Sequence, residues 1–319
     1  MLRRCSNAPR TVRAEYSCFE GCRYRKTQAI ALTSPLILNH WRHHGFCRLV
    51  DAFPFFTGVQ LVASAACHRR SSGRGWLISV RLIQMTGEEY WHIYEVVHGD
   101  LDITISSITT YLTINRAAAR DVDAFTVLNR EAEFWRIVSY SLQEAFFLGL
   151  GRLFDERRNT IGVEDLVDAT IEHRGFFTRE EMKARKLSQI HLEPGEHEPE
   201  WLIDFVKQAW QPQRGDLEYL RTELQPYIER FRQVHGPIRH QYFAHRSKLC
   251  DAAIGELFEK AVIDESIEIL KFLKALTHSI WDLAWNGEKP DLKGDHGYEG
   301  YADLVGRKAS DLIQRLKNC

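Results

Sequence analysis

No apolar run in this chain is long enough to cross a bilayer as a helix. A charge excess of either sign is missing as well. The 42 basic and 43 acidic residues leave a formal net charge of −1, which gives no global signature for nucleic acid. Methionine is scarce, with three residues at positions 1, 85 and 182. Cysteine is scarce where a framework would need it. Cys5, Cys18, Cys22, Cys47 and Cys67 fall in the first 84 residues, and only Cys250 and Cys319 follow. The main body therefore has no disulfide framework, and we expect a cytoplasmic protein. Repeats and low-complexity tracts are also absent. What is present is a 319-residue chain, 44% hydrophobic, able to bury a sizeable core in one or two domains.

The near-neutral total hides a split. Residues 1–84 hold twelve Arg, one Lys and three acids, a net of +10, which leaves −11 on the remainder. No hydrophobic period persists in this basic segment. Cys18, Cys22, His40, His43, His44 and Cys47 have the ligand types of a zinc site, but their spacing matches no standard knuckle. The apolar stretch 53–67 starts too far into the chain for a secretion signal. The coherent helical pattern begins just after Met85. We therefore read 1–84 as a misassigned start, disordered or absent from the natural protein, and 85–319 as one helical domain.

Within 85–319 the apolar spacing is that of helices. Phe134, Ile137, Val138, Ser141, Leu142, Ala145 and Leu148 fall at intervals of three and four, which predicts a long amphipathic helix within 128–154. Thr160 is placed to cap a new helix over Val163, Leu166 and Val167. Leu101, Ile103 and Ile105 alternate as in a strand, but no partner strand is evident, so 101–114 is assigned to helix. The Pro- and Gly-bearing stretch 191–200 predicts a loop, followed by helices over about 200–210 and 217–234. Gly236-Pro237 is expected to stop the chain and restart it. A helix over 254–284, a polar loop over 286–300 and a last helix over 301–316 complete an all-α chain.

The chemistry concentrates after that restart. Arg230, Arg232, Arg239, Arg246 and Lys248 lie within nineteen residues, with His235, His240 and His245 and no acid among them. A histidine can move a proton near neutral pH. An arginine can hold a phosphate oxygen as it gains charge. Together these are what RNA cleavage without a metal requires. Tyr242 offers a ring for stacking on unpaired bases, while Phe243 is expected in the core. Spacing alone does not decide the matter, because roughly three or four Arg–His pairs at such intervals are expected by chance. A buried helix histidine at 245 and a surface ion pair at Arg239 fit the spacing equally well.

The segment Ile238-Arg239-His240-Gln241-Tyr242-Phe243-Ala244-His245-Arg246 resembles the Arg-polar-x-x-aromatic-Ala-His signature of HEPN domains of the AbiU type. The stretch Leu148-Gly149-Leu150-Gly151-Arg152-Leu153-Phe154-Asp155 is similar to the end of that family's long helix. The resemblance covers about residues 88–285. It implies an up-and-down helical bundle with extra helices and a role in phage defence by abortive infection or as a toxin. It further implies a metal-independent endoribonuclease with Arg239, His245 and His240 as catalytic residues and no cofactor. Attack by the 2′-OH would leave a 2′,3′-cyclic phosphate. Tyr242, Arg246 and Lys248 are then the candidate RNA contacts. The expected partners are RNA, a second copy of the chain and a companion or antitoxin from a neighbouring gene, with no membrane. The competing reading is a non-catalytic helical module that binds RNA or protein.

Mass spectrometry of the endogenous protein checks the expected start. No peptide from residues 1–84 should be found, and a single confirmed one would overturn that expectation.

Overall fold

The computed structural model describes residues 85–157, 159–190, 196–244, 251–294 and 296–318, without the side chains of residues 251 and 252. The basic segment 1–84 and its zinc and signal candidates lie outside the described residues. No strand occurs among the described residues, and none of their helices is long and apolar enough to cross a membrane.

The first helix, α1 (Gly87–Arg120), is the spine. Thr86 and Glu89 close a capping box at its start, with Glu89 N–H donating to Thr86 Oγ1 at 3.2 Å and Thr86 N–H to Glu89 Oε2 at 2.7 Å. The strand-like stretch 101–114 is helical throughout, as expected. Leu101, Ile105, Ile108 and Leu112 face inward at helical spacing, whereas Ile103 is 53% exposed. The hydroxyls of Thr104, Ser107 and Thr113 donate to carbonyls four residues back, at 2.6–2.8 Å. Burial on one face thus overrides the weak helix preference of these β-branched residues.

Asp121 then caps the short α2 (Val122–Arg130), and α3 (Ala132–Leu153) returns antiparallel to α1. Its core face is Gln143, Phe146, Phe147, Leu150 and Leu153. This corrects the sequence reading. Phe134 and Ile137 are each 57% exposed, and Ser141 is exposed too. Val138 and Leu142 of the predicted stripe are half-buried against the core, so the stripe lies along the edge of the buried face rather than at its centre.

Helix α4 (Val163–Glu172) starts after Gly162, whose N–H donates to Asp165 Oδ2 at 2.8 Å. Thr160 is not its cap; that hydroxyl donates to Arg157 O. Two helices, α5 (Arg179–Ser188) and α6 (Glu200–Gln208), flank the bundle beside the predicted loop. The next, α7 (Tyr219–Arg230), runs on without a break through two wide π-turns, Phe231–His235 and Arg239–Ala244, joined by Gly236–Ile238. Gly236-Pro237 therefore does not stop the chain. Gly236 N–H bonds to Phe231 O, five residues back, and this widening makes room for a proline that lacks a donor.

The predicted helix 254–284 is two: α8 (Asp251–Glu259) and α9 (Ile263–Asn286). The latter runs antiparallel to α1, held by Lys274 to Asp102 at 2.8 Å. The last, α10 (Tyr298–Lys317), runs alongside α1 in the same direction, joined by Ser106 to Tyr301 at 2.9 Å and Lys317 to Asp121 at 2.6 Å. A large apolar core joins most of these elements, and a smaller cluster of Ile114, Ala124, Leu128 and Ile313 holds the end of α1 against α2 and α10; together they make the all-α bundle with extra helices expected from sequence.

One histidine is fully inside that core. His235 Nε2 lies 2.9 Å from Ser266 Oγ, whose own hydroxyl donates to Val262 O. The two side chains share this hydrogen bond inside the core, and the histidine's Nδ1 is buried as well. Burial, with the Arg230 guanidinium adding to it, pushes the His235 pKa down from 6.5 to about 4. The unfolded chain takes up this proton first on acidification. Stability from this residue is thus complete above pH 6.5 and lost towards pH 4. Urea unfolding between those limits should show a steeper acid loss for the parent than for His235→Gln, which keeps a donor and does not titrate. Equal slopes would refute this.

Candidate functional site

The segment that carries the candidate residues leaves the core at Ile238 and enters the second π-turn at Arg239. The turn is anchored from its far end. Phe243 is buried, as expected, and stacks on Phe147 with centroids 5.1 Å apart and planes at 22°. Tyr242 is half-buried and meets Phe243 and Phe258 edge to face, at 4.8 and 5.2 Å. Its ring is thus part of the wall as well as a candidate contact. His240 is exposed beside Arg239. His245, Arg246 and Lys248 lie outside the described residues.

Arg239 lies across the end of α3. A Cβ placed on Gly151 would overlap its Nε and Cδ and come within 3.0 Å of its Cζ. Only a glycine lets the side chain lie there. The Arg239 Nε is buried and has no hydrogen-bond acceptor among the described residues. A neutral group left so would cost stability, and a cationic one more. The next residue of α3 is directed elsewhere, since Arg152 Nε donates to Asp100 Oδ1 at 2.8 Å. The fold thus joins the two stretches singled out in the sequence, 148–155 and 238–246. Gly151 itself was missed as a site residue. Its signal was two glycines within one helix interior, where each costs about 0.5–1 kcal/mol relative to Ala unless something needs the space.

The basic window is less basic in space than in sequence. Arg230 pairs with Glu265, and Arg232 Nε lies 2.7 Å from Glu156 Oε1. The Glu156 carboxylate raises the Arg232 pKa further above its usual value. Both cations are already matched by acids distant in sequence, whereas Arg239 is not paired through its Nε. No group of three or more His, Cys, Asp or Glu able to hold a metal occurs among the described residues.

A family model, HEPN_AbiU2 (AbiU2), matches residues 89–303, which span the whole bundle from α1 into α10. The chain belongs to the HEPN_AbiU2 family. The match begins just after Met85, where the helical pattern starts, and takes in both Gly151 and Arg239. No curated protein and no solved structure gives a significant match.

The contact between Gly151 and Arg239 has a thermodynamic signature. In the parent, Gly151→Ala should cost about 1–3 kcal/mol through overpacking. In an Arg239→Ala background the overlap is gone, and the same change should become neutral or stabilise by about 0.5–1 kcal/mol through helix propensity. Urea unfolding of the four proteins measures the coupling. Additive effects would show that the two residues do not share this space.

Proposed function

We propose that this HEPN_AbiU2 protein is a metal-independent endoribonuclease that acts in phage defence by abortive infection or as a toxin. The observation that carries the reading is the placement of Arg239. A guanidinium with a buried, unpartnered Nε lies over Gly151 of α3, which has no side chain to exclude it. Such a group has hydrogen-bonding capacity and charge left for a phosphate. It stands at the first position of a π-turn, a distortion that occurs often at functional sites. Family membership adds the abortive-infection context.

In the proposed reaction the RNA 2′-oxygen attacks the adjacent phosphorus and the P–O5′ bond breaks. The products are a 2′,3′-cyclic phosphate and a free 5′-hydroxyl. His245 takes the 2′-OH proton or supplies one to the departing 5′-oxygen. Arg239 stabilises the charge that builds on the non-bridging oxygens. His240, exposed beside it, orients the phosphate or tunes His245. The second proton-transfer group comes from another copy of the chain, and the outer face of α3 supports such pairing. Phe134 and Ile137 are exposed there, on the helix that carries Gly151. Tyr242, Arg246 and Lys248 complete the proposed RNA contacts, and a companion protein restrains the activity until infection.

Incubation of total cellular RNA with the purified protein in EDTA tests the scheme. The parent should cleave. His245→Ala should lose about 10²–10⁴-fold in rate, as for removal of a general acid or base. Arg239→Ala should lose about 10²–10³-fold. Cleavage that disappears in EDTA contradicts the metal-free chemistry. Equal cleavage by parent and variants places the activity elsewhere, and cleavage by none favours the binding module.

A further inference from the structure

A second feature of the molecule bears on how an acidic body grips RNA. Between α1, the start of α9 and α10 lies an open cleft of about 550 Å³. It falls in the size range of small-ligand sites. Its floor is apolar, with Ile108, Leu112, Ile267 and Ala302. Arg116 and Arg307 line it together with the hydroxyl-bearing Thr109, Thr113 and Ser310. The two helices approach closely at Gly306, where a Cβ would sit 3.4 Å from Thr113 Oγ1, and the cleft opens around this crossing.

Some surface cations are held by acids, as Arg221 is by Asp168 at 2.6 Å and Arg232 by Glu156 at 2.7 Å. Arg116 and Arg307 make no ion pair among the described residues. Neither do the exposed Arg120, one turn on from Arg116, or Lys308, next to Arg307. Four unpaired cations therefore gather on α1 and α10 in a body whose net charge beyond residue 84 is −11. Carboxylates line the cleft too. Glu299 and Glu268 share Lys271, at 2.8 and 3.6 Å, and Asp264 and Asp303 make no ion pair with a described residue.

This combination fits one ligand chemistry. Free guanidinium groups and hydroxyls suit a phosphate. The apolar floor suits the face of a base. Unpaired carboxylates accept from the 2′-OH or from base amino groups, which are the donors that RNA presents. We propose that this cleft is an RNA-gripping site, separate from Arg239, which holds a nucleotide of the same strand. It lies along α1 at residues 108–116, eight to sixteen positions from the Asp100 that pairs with Arg152. At 1.5 Å per residue that is roughly 12–24 Å, within reach of a few nucleotides of single strand. The inference rests on the RNA reading above, but not on cleavage by His245.

The test uses the full chain and a fluorescein-labelled single-stranded 2′-O-methyl RNA, which cannot undergo 2′-OH attack. Fluorescence anisotropy across a salt series reports affinity and its salt slope. Arg116→Ala with Arg307→Ala should weaken binding several-fold and lower the log–log slope by about 1–2, one per lost phosphate contact. Arg307→Lys should keep the slope, since the charge remains. All these residues are exposed, and circular dichroism confirms folding. On cleavable RNA the double variant should raise KM with little change in kcat, whereas Arg239→Ala lowers kcat. Unchanged affinity and KM in the double variant overturn the gripping site while leaving the endoribonuclease reading intact. A parent chain that neither binds nor cleaves RNA overturns both.

Discussion

Everything in this molecule depends on how closely α1 and α3 can approach. α1 presents Leu101, Ile105 and Ile108, and α3 answers with Phe146, Phe147 and Leu150, all essentially without solvent contact. At roughly 1.5–3 kcal/mol for each large apolar side chain fully buried, this interface is a major part of the core. Its closeness is set by Gly149, where a Cβ would overlap Thr104 Oγ1. Two residues further on, Gly151 uses the same device to admit a side chain from another element. One glycine thus lets the two helices touch, and a second beside it creates the seat for Arg239.

The opposite wall is built by tolerating an irregular helix. A proline and two π-turns stand where a regular helix would continue from α7. Such a distortion persists only if the surroundings hold it. Here Ile238 and Phe243 are buried on one side, and His235 is bonded to Ser266 on the other. The rotation that the π-turns introduce brings Arg239 towards the end of α3 while Phe243 stacks on Phe147. Core packing and site geometry are one arrangement, because the same six-residue turn supplies both residues.

Electrostatics follows the same economy. The basic run around Arg239 is partly neutralised by Glu156 and Glu265, which come from distant elements. Among the described residues, the Nε of Arg239 and the arginines of the α1–α10 cleft keep no acid partner. In a body this acidic, such islands carry more information than the sum of charges. Long-range attraction to a polyanion is weak for such a body.

The chain's sequence by itself determined the helical class and pointed to the family whose model matches residues 89–303. These are properties of local spacing and composition, which survive without knowledge of neighbours. It misplaced the centre of the buried face of α3, because Phe134 and Ile137 repeat at the same period as Phe147 and Leu150. It also took Gly236-Pro237 for a break, because the π-turn that absorbs the proline is paid for by contacts with other helices. Gly151 was in plain view within the quoted stretch, yet nothing local says that an arginine 88 positions later needs its missing Cβ. Only the tertiary structure decided that, since the cost of a side chain depends on what else occupies the space.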